Sequence, residues 1–173
     1  MKEMLRYGFI LGLICLVASG LLAGVNSLTK ARILAQAKTE EESAFLKVLP
    51  NAKNFEPVKS DNDILYYQAL DKDAKLIGVA FKVSAKGYSS TIETLVGMTK
   101  EGIITAIEIL SQNETPGLGS RVAEPSFTGQ FANKDMQSLD QVAAITGATI
   151  SSTAVIESVK KKAEEIKGLI NEK

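Results

Sequence analysis

Residues 92–110 read IETLVGMTKEGIITAIEIL, two runs of β-branched and apolar residues separated by Thr99-Lys100-Glu101-Gly102. Runs of this length and composition predict strands over residues 92–98 and 103–110, and a connection of hairpin length pairs them antiparallel. Toward the N-terminus, residues 64–70 and 76–83 carry the same enrichment in Val, Ile and aromatics, with Asp71-Lys72-Asp73 between them as a second turn. Consecutive strands joined by short turns predict a meander, a small curved antiparallel sheet. On the C-terminal side the period changes. Val155, Val159, Ala163, Ile166 and Ile170 recur at helical spacing, so residues 153–170 are expected as a helix packed on the sheet, with Lys160, Lys161, Lys162, Glu164 and Glu165 on its solvated side. A short helix is expected over residues 124–132. The fold class is therefore α+β.

Before the sheet, residues 8–25 (GFILGLICLVASGLLAGV) hold no charge and lie between Lys2 and Arg6 on one side and Lys30 and Arg32 on the other. The run is just long enough to cross a hydrocarbon core of about 30 Å. A cleaved signal peptide is the rival reading, because Ala18, Ser19, Ala23 and Gly24 are small; against it, the run is long for a signal core and no clean A-x-A site closes it. Cations on the two flanks nearly balance, so the positive-inside rule discriminates little. A short N-terminus ahead of a large C-terminal domain is compatible with that domain lying outside the cytoplasm. Gly12, Ser19, Gly20 and Gly24 would let another membrane helix approach closely, or reflect only the frequency of glycine in such helices. No Gly or Pro interrupts residues 27–49, so the helix is expected to continue as a stalk until Pro50-Asn51 ends it. The expected organisation is a transmembrane anchor over residues 1–29, a helical stalk over 30–50 and a domain over 51–173.

Composition removes several function classes. Lys+Arg and Asp+Glu number 20 each in 173 residues, which leaves no basic footprint for nucleic acid. There is no His, so histidine metal ligation and Ser-His or Cys-His nucleophilic catalysis are excluded within this chain. Cys15 stands alone, ruling out an internal disulfide and a cysteine-only metal cluster. Redox chemistry here would have to come from an organic cofactor or a partner's metal.

Two loops carry the remaining signal. Residues 143–152, AAITGATISS, concentrate small residues and hydroxyls: Thr146, Gly147, Ala148, Thr149, Ser151 and Ser152. A threonine hydroxyl placed there can be reached by a modifying enzyme, and N–H groups at the following helix start can hold an anion such as phosphate. Thr149 is the candidate functional residue. A helix-capping loop explains most of the same composition. The second loop runs Asn113-Glu114-Thr115-Pro116-Gly117-Leu118-Gly119-Ser120-Arg121. Its proline and glycines suit a backbone pressed flat against a planar ligand, with Leu118 as an apolar contact; an ordinary surface loop is the alternative. Asn113-Glu114-Thr115 also matches a glycosylation acceptor, set aside because a glycan would crowd the site.

Taken together, Gly87-Tyr88-Ser89-Ser90, Glu114-Thr115-Pro116-Gly117-Leu118-Gly119 and Thr146-Gly147-Ala148-Thr149-Ile150-Ser151-Ser152 resemble the FMN-binding domain of RnfG, a component of the Rnf electron-transport complex. The related NqrC component of the sodium-translocating NADH:quinone reductase has the same domain; the short chain favours the Rnf side. The resemblance covers nearly the whole chain, the single N-terminal membrane helix included. It implies covalent FMN, joined through a phosphoester to the Thr149 hydroxyl by a flavin transferase, with Thr146, Gly147, Ala148, Ser151 and Ser152 completing the attachment motif. It further implies that Glu114, Thr115, Gly117 and Leu118 lie by the isoalloxazine ring, and it extends to Tyr88 and Ser89. The chain departs from the family at Ala143, where the flavinylation signal usually has an aspartate; Asp140 lies three residues upstream.

The function this resemblance implies is a membrane-anchored flavoprotein component of an ion-translocating ferredoxin:NAD+ oxidoreductase. It would sit in the cytoplasmic membrane with its FMN domain on the extracytoplasmic side, among polytopic membrane subunits and iron–sulfur and flavin subunits. No residue would serve as a general base or nucleophile in turnover, and no metal would be bound. The alternatives are a membrane-tethered flavin-binding sensor or accessory domain, the NqrC component of the quinone reductase, and a structural component without flavin.

Overall fold

Successive side chains of a strand point to opposite faces of its sheet, and the central strands are buried continuously through their middles, so both faces are covered. The computed structural model describes residues 2–60 and 63–171; Met1, Asp61, Asn62, Glu172 and Lys173 lie outside them. Among the described residues, helix α1 (Lys2–Val48) precedes strands β1 (Asn54–Ser60), β2 (Asp63–Leu70), β3 (Leu76–Lys86), β4 (Thr91–Thr99) and β5 (Ile104–Ser111). Helices α2 (Pro125–Thr128) and α3 (Thr149–Asn171) follow, with 3-10 turns at Gly119–Ala123, Gly129–Phe131 and Ser138–Gln141. The sheet is an antiparallel meander in the order β1-β2-β3-β4-β5. The chain divides into two compact units, Met1–Glu41 and Glu42–Lys173.

The first unit is helical and apolar with its side chains exposed, Phe9, Leu13, Leu16 and Leu22 among them. It is long and apolar enough to cross a membrane. Within it the Thr29 hydroxyl donates back to the Val25 carbonyl, which lets a polar side chain satisfy itself inside a helix.

The second unit begins inside α1. Ala44, Phe45, Val48 and Leu49 are buried with Ala52, Ala69, Ala80 and Leu95 on one face of the sheet, and the Phe45 ring lies 4.8 Å from both Phe55 and Tyr67. A helix end leaves carbonyls without intrahelical partners. Thr105, the extra residue in a β5 bulge opposite Gly97 and Met98, donates its hydroxyl to the Val48 carbonyl at 2.5 Å, and Lys47 pairs with Glu108. On the other face Val79, Phe81, Ile92, Val96, Met98 and Ile104 pack with Val155, Val159, Ala163 and Ile166 of α3 and with Phe127 and Phe131.

Three local expectations change. β1 is not expected from the sequence, because Pro57 lies in its middle; the strand tolerates it because β1 is an edge, where one side of the ladder needs no donor, and Pro57 pairs with Tyr67. The expected helix over residues 124–132 is a single α-helical turn flanked by 3-10 turns. α3 starts at Thr149, four residues before the expected Thr153. Its first turn is Thr149, Ile150, Ser151 and Ser152, hydroxyl and β-branched residues of middling helix propensity that do not announce a helix.

Candidate functional site

The entry to α3 is built on a tight turn. Ala148 N–H donates to the Ile145 carbonyl at 2.9 Å, with Gly147 at φ +84° in the third position, the geometry a type II turn reserves for glycine. Ser152 N–H donates to the Ala148 carbonyl at 3.0 Å as the first helical bond. The N–H groups of Thr149, Ile150 and Ser151 therefore precede the helical ladder. Ala148 stands at the capping position and has no side-chain acceptor. Ser152 secures the turn instead: its hydroxyl donates to the Ala148 carbonyl at 2.9 Å and accepts the Ile145 N–H at 3.1 Å. Among the described residues no hydrogen bond engages the hydroxyls of Thr146 or Thr149, and both residues are exposed.

The loop after β5 faces this helix start through Glu114. The residue is only 5% exposed. Its carboxylate accepts the backbone N–H of Tyr88 (3.2 Å), Ser89 (3.0 Å) and Ser90 (2.8 Å), together with the hydroxyls of Ser90 (3.2 Å) and Ser151 (2.6 Å). Removal from water pushes this carboxyl up, but hydrogen bonds from Ser151, Ser90 and Ser89 outweigh that and hold it below the ordinary glutamate value. Two glycines make room for it. A Cβ on Gly87 would stand 2.6 Å from Glu114 Oε1, and one on Gly119 would stand 2.6 Å from Oε2 and 2.9 Å from Ser151 Oγ.

These segments enclose a cleft of about 470 Å³, within the range of small-molecule sites. Tyr88 lines it from the β3–β4 loop, Glu114, Thr115 and Leu118 from the loop after β5, and Gly147, Ala148, Thr149 and Ser151 from the α3 entry. Ser89 is exposed and is not among the lining residues, its N–H on Glu114, Ser152 is buried under the turn, and Thr146 and Gly117 lie at the surface. The Gly117 N–H donates to Ser120 Oγ at 2.9 Å, closing the loop on itself. Gly119 and Ile150 also line the cleft, although their sequence context does not single them out. Both stand inside the motifs, but nothing local distinguishes the glycine that packs from the one that turns. Tyr88, Leu118 and Ile150 are exposed apolar side chains at this site. Ala143 is exposed and donates its N–H to Gln130 Oε1 at 2.9 Å, while Asp140 pairs with Lys160 at 2.6 Å. No group of three acidic or cysteine side chains is arranged to hold a metal among the described residues.

The chain is similar to known proteins over both its apolar helix and its sheet domain. A model of the FMN-binding domain matches residues 87–164, and a model of the RnfG N-terminal region matches residues 1–48. The chain is 31% identical over 172 residues to the G component of the ion-translocating oxidoreductase complex of Methanosarcina acetivorans, covering 91% of this chain and 92% of that one. It is 33% identical over 162 residues to the G component of the proton-translocating ferredoxin:NAD(+) oxidoreductase complex of Clostridium ljungdahlii, covering 88% and 85%. The crystal structure of the C component of the Na(+)-translocating NADH-quinone reductase from Parabacteroides distasonis shares the fold, with a TM-score of 0.54 at 18% identity over 75% of this chain and 82% of that one. Similarity that runs from the apolar helix through the cleft, over nearly the full length of these relatives, places the chain in the RnfG family of ion-translocating oxidoreductase components.

Proposed function

We propose that this chain is the membrane-anchored flavoprotein component of an ion-translocating ferredoxin:NAD+ oxidoreductase, with FMN joined through a phosphoester to Thr149. The observation that carries this reading is the state of Thr149: an exposed hydroxyl without a structural hydrogen bond, on the cleft wall, at the first residue of a long helix. The residues fit the group. The unladdered N–H groups of Thr149, Ile150 and Ser151 suit a phosphodiester, and Leu118, Ile150 and Tyr88 offer apolar surface to a ring system. Bound flavin supplies the electron-carrying chemistry, and the chain supplies placement and tuning of potential. In this reading the chain is the acceptor, and a flavin transferase makes the bond to the Thr149 hydroxyl.

The apolar helix and the family membership point to a membrane-anchored protein. In this reading residues 1–29 are the anchor and the helix beyond them is the stalk, its end from Ala44 onward seated in the sheet domain; the FMN domain lies on the extracytoplasmic side, and the partners are the other Rnf subunits. Tethering there prevents loss of a cofactor that would otherwise dissociate. The deciding experiment is intact mass of the protein from its native host, followed by peptide mapping. A gain equal to FMN minus water on the Thr149 peptide is expected, and an unmodified Thr149 in assembled native protein overturns the covalent reading.

A further inference from the structure

We propose that Glu114 is a positioning residue whose ionised carboxylate, fixed by the loop of residues 87–90 and by Ser151, holds the α3 entry against the cleft and sets a permanent negative charge that lowers the reduction potential of flavin bound there. The inference rests on the flavin reading above and assigns Glu114 a task other than direct hydrogen bonding to a ring. Both of its oxygens are filled by protein donors: Oε1 by the N–H groups of Ser89 and Ser90 and the Ser90 hydroxyl, Oε2 by the Tyr88 N–H and the Ser151 hydroxyl.

Those donors are dipoles. Among the described residues no Lys or Arg pairs with Glu114, so its charge is solvated by the fold without a neutralising cation. With 5% exposure, water screens it poorly, and its field reaches further into the cleft than that of a surface carboxylate. Adding electrons to a flavin beside that charge adds charge of the same sign. The reduced form is disfavoured, and removing the charge moves the potential upward.

The test uses the full chain purified from its native host, as wild type, Glu114→Gln and Ser151→Ala. Intact mass comes first: an unmodified wild-type chain overturns the flavin reading and this proposal with it. For modified chains, redox titration followed by flavin absorbance is expected to show a positive shift for Glu114→Gln. Ser151→Ala keeps the charge but cuts the link from Glu114 to the α3 entry: amide exchange in the first turn of α3 is expected to speed up, and unchanged exchange there overturns the positioning role. A folded, flavinylated Glu114→Gln with an unchanged potential overturns the proposal and leaves the flavin reading standing. Should Glu114→Gln fail to fold, the wild-type potential is followed as pH falls: an added positive step below the ordinary glutamate range, where Glu114 takes up its proton, supports the charge-setting role, and a profile without that step overturns it.

Discussion

The hydroxyl of Ser151 lies 2.6 Å from Glu114 Oε2, joining the first turn of α3 to the loop that leaves β5. Ser151 is 1% exposed, so this is a buried, charge-assisted bond between two elements distant in the chain.

Ser151→Ala deletes that donor and leaves the carboxylate one bond short. Hydrogen bonds to charged groups contribute about 1.5–3 kcal/mol, and a loss in that range is expected from denaturant unfolding of the variant. A change below about 0.5 kcal/mol, the scatter typical of surface substitutions, would show that the bond is not held in solution.

The same geometry carries a pH dependence. The folded Glu114 carboxyl titrates lower than the unfolded one, so the native state binds the proton less readily, and its stabilisation is fully present above the unfolded value, near 4.5. It is lost as pH falls through the depressed folded value. Wild-type stability is expected to drop over this acid window more steeply than that of Glu114→Gln, which has no proton to take up. Parallel acid profiles would remove Glu114 as the cause.

Gly119 and Gly117 are expected to separate. In Gly119→Ala the new methyl meets Glu114 and Ser151 below 3 Å, an overpacking that costs about 1–3 kcal/mol and displaces the cleft wall, so both thermal stability and flavin content fall. In Gly117→Ala the methyl meets nothing, and the penalty is the φ of +75° alone, about 1–2 kcal/mol. Equal flavin content in the two variants would contradict the packing role of Gly119.

Thr149→Val should separate chemistry from stability. Its hydroxyl holds no structural bond, so the melting behaviour is expected to stay within about 0.5 kcal/mol of wild type, while covalent flavin disappears from the mass spectrum. Thr149→Ser is expected to keep an acceptor. Covalent flavin retained in Thr149→Val would move the attachment elsewhere.

The end of α1 is expected to behave as part of the sheet domain. Phe45→Ala removes a ring buried between Phe55 and Tyr67, at a cost of about 3–5 kcal/mol. A chain shortened to begin at residue 42 should unfold cooperatively, whereas one beginning at residue 51 uncovers Ala69, Ala80 and Leu95 and should aggregate. Comparable stability of the two would show that the helix end is dispensable.

The strands from β2 to β5, their hairpin turns, the long N-terminal helix and the body of α3 are legible in the sequence by itself, because each rests on periodicity and turn chemistry among near neighbours. Thr149, Leu118 and Glu114 are legible as motif residues, and the cleft brings them together. β1 is hidden by Pro57, whose place at a sheet edge depends on which strands lie beside it. Tertiary structure alone decides what Glu114 does. Its donors stand 24 to 37 residues away along the chain, and a carboxylate whose partners arrive only when a hairpin tip, a loop and a helix start converge has no signature in its own neighbourhood. The same holds for Gly119, whose missing side chain matters only once Glu114 and Ser151 have packed against it, and for Phe45, which on its own helix is one more apolar residue until the sheet covers it.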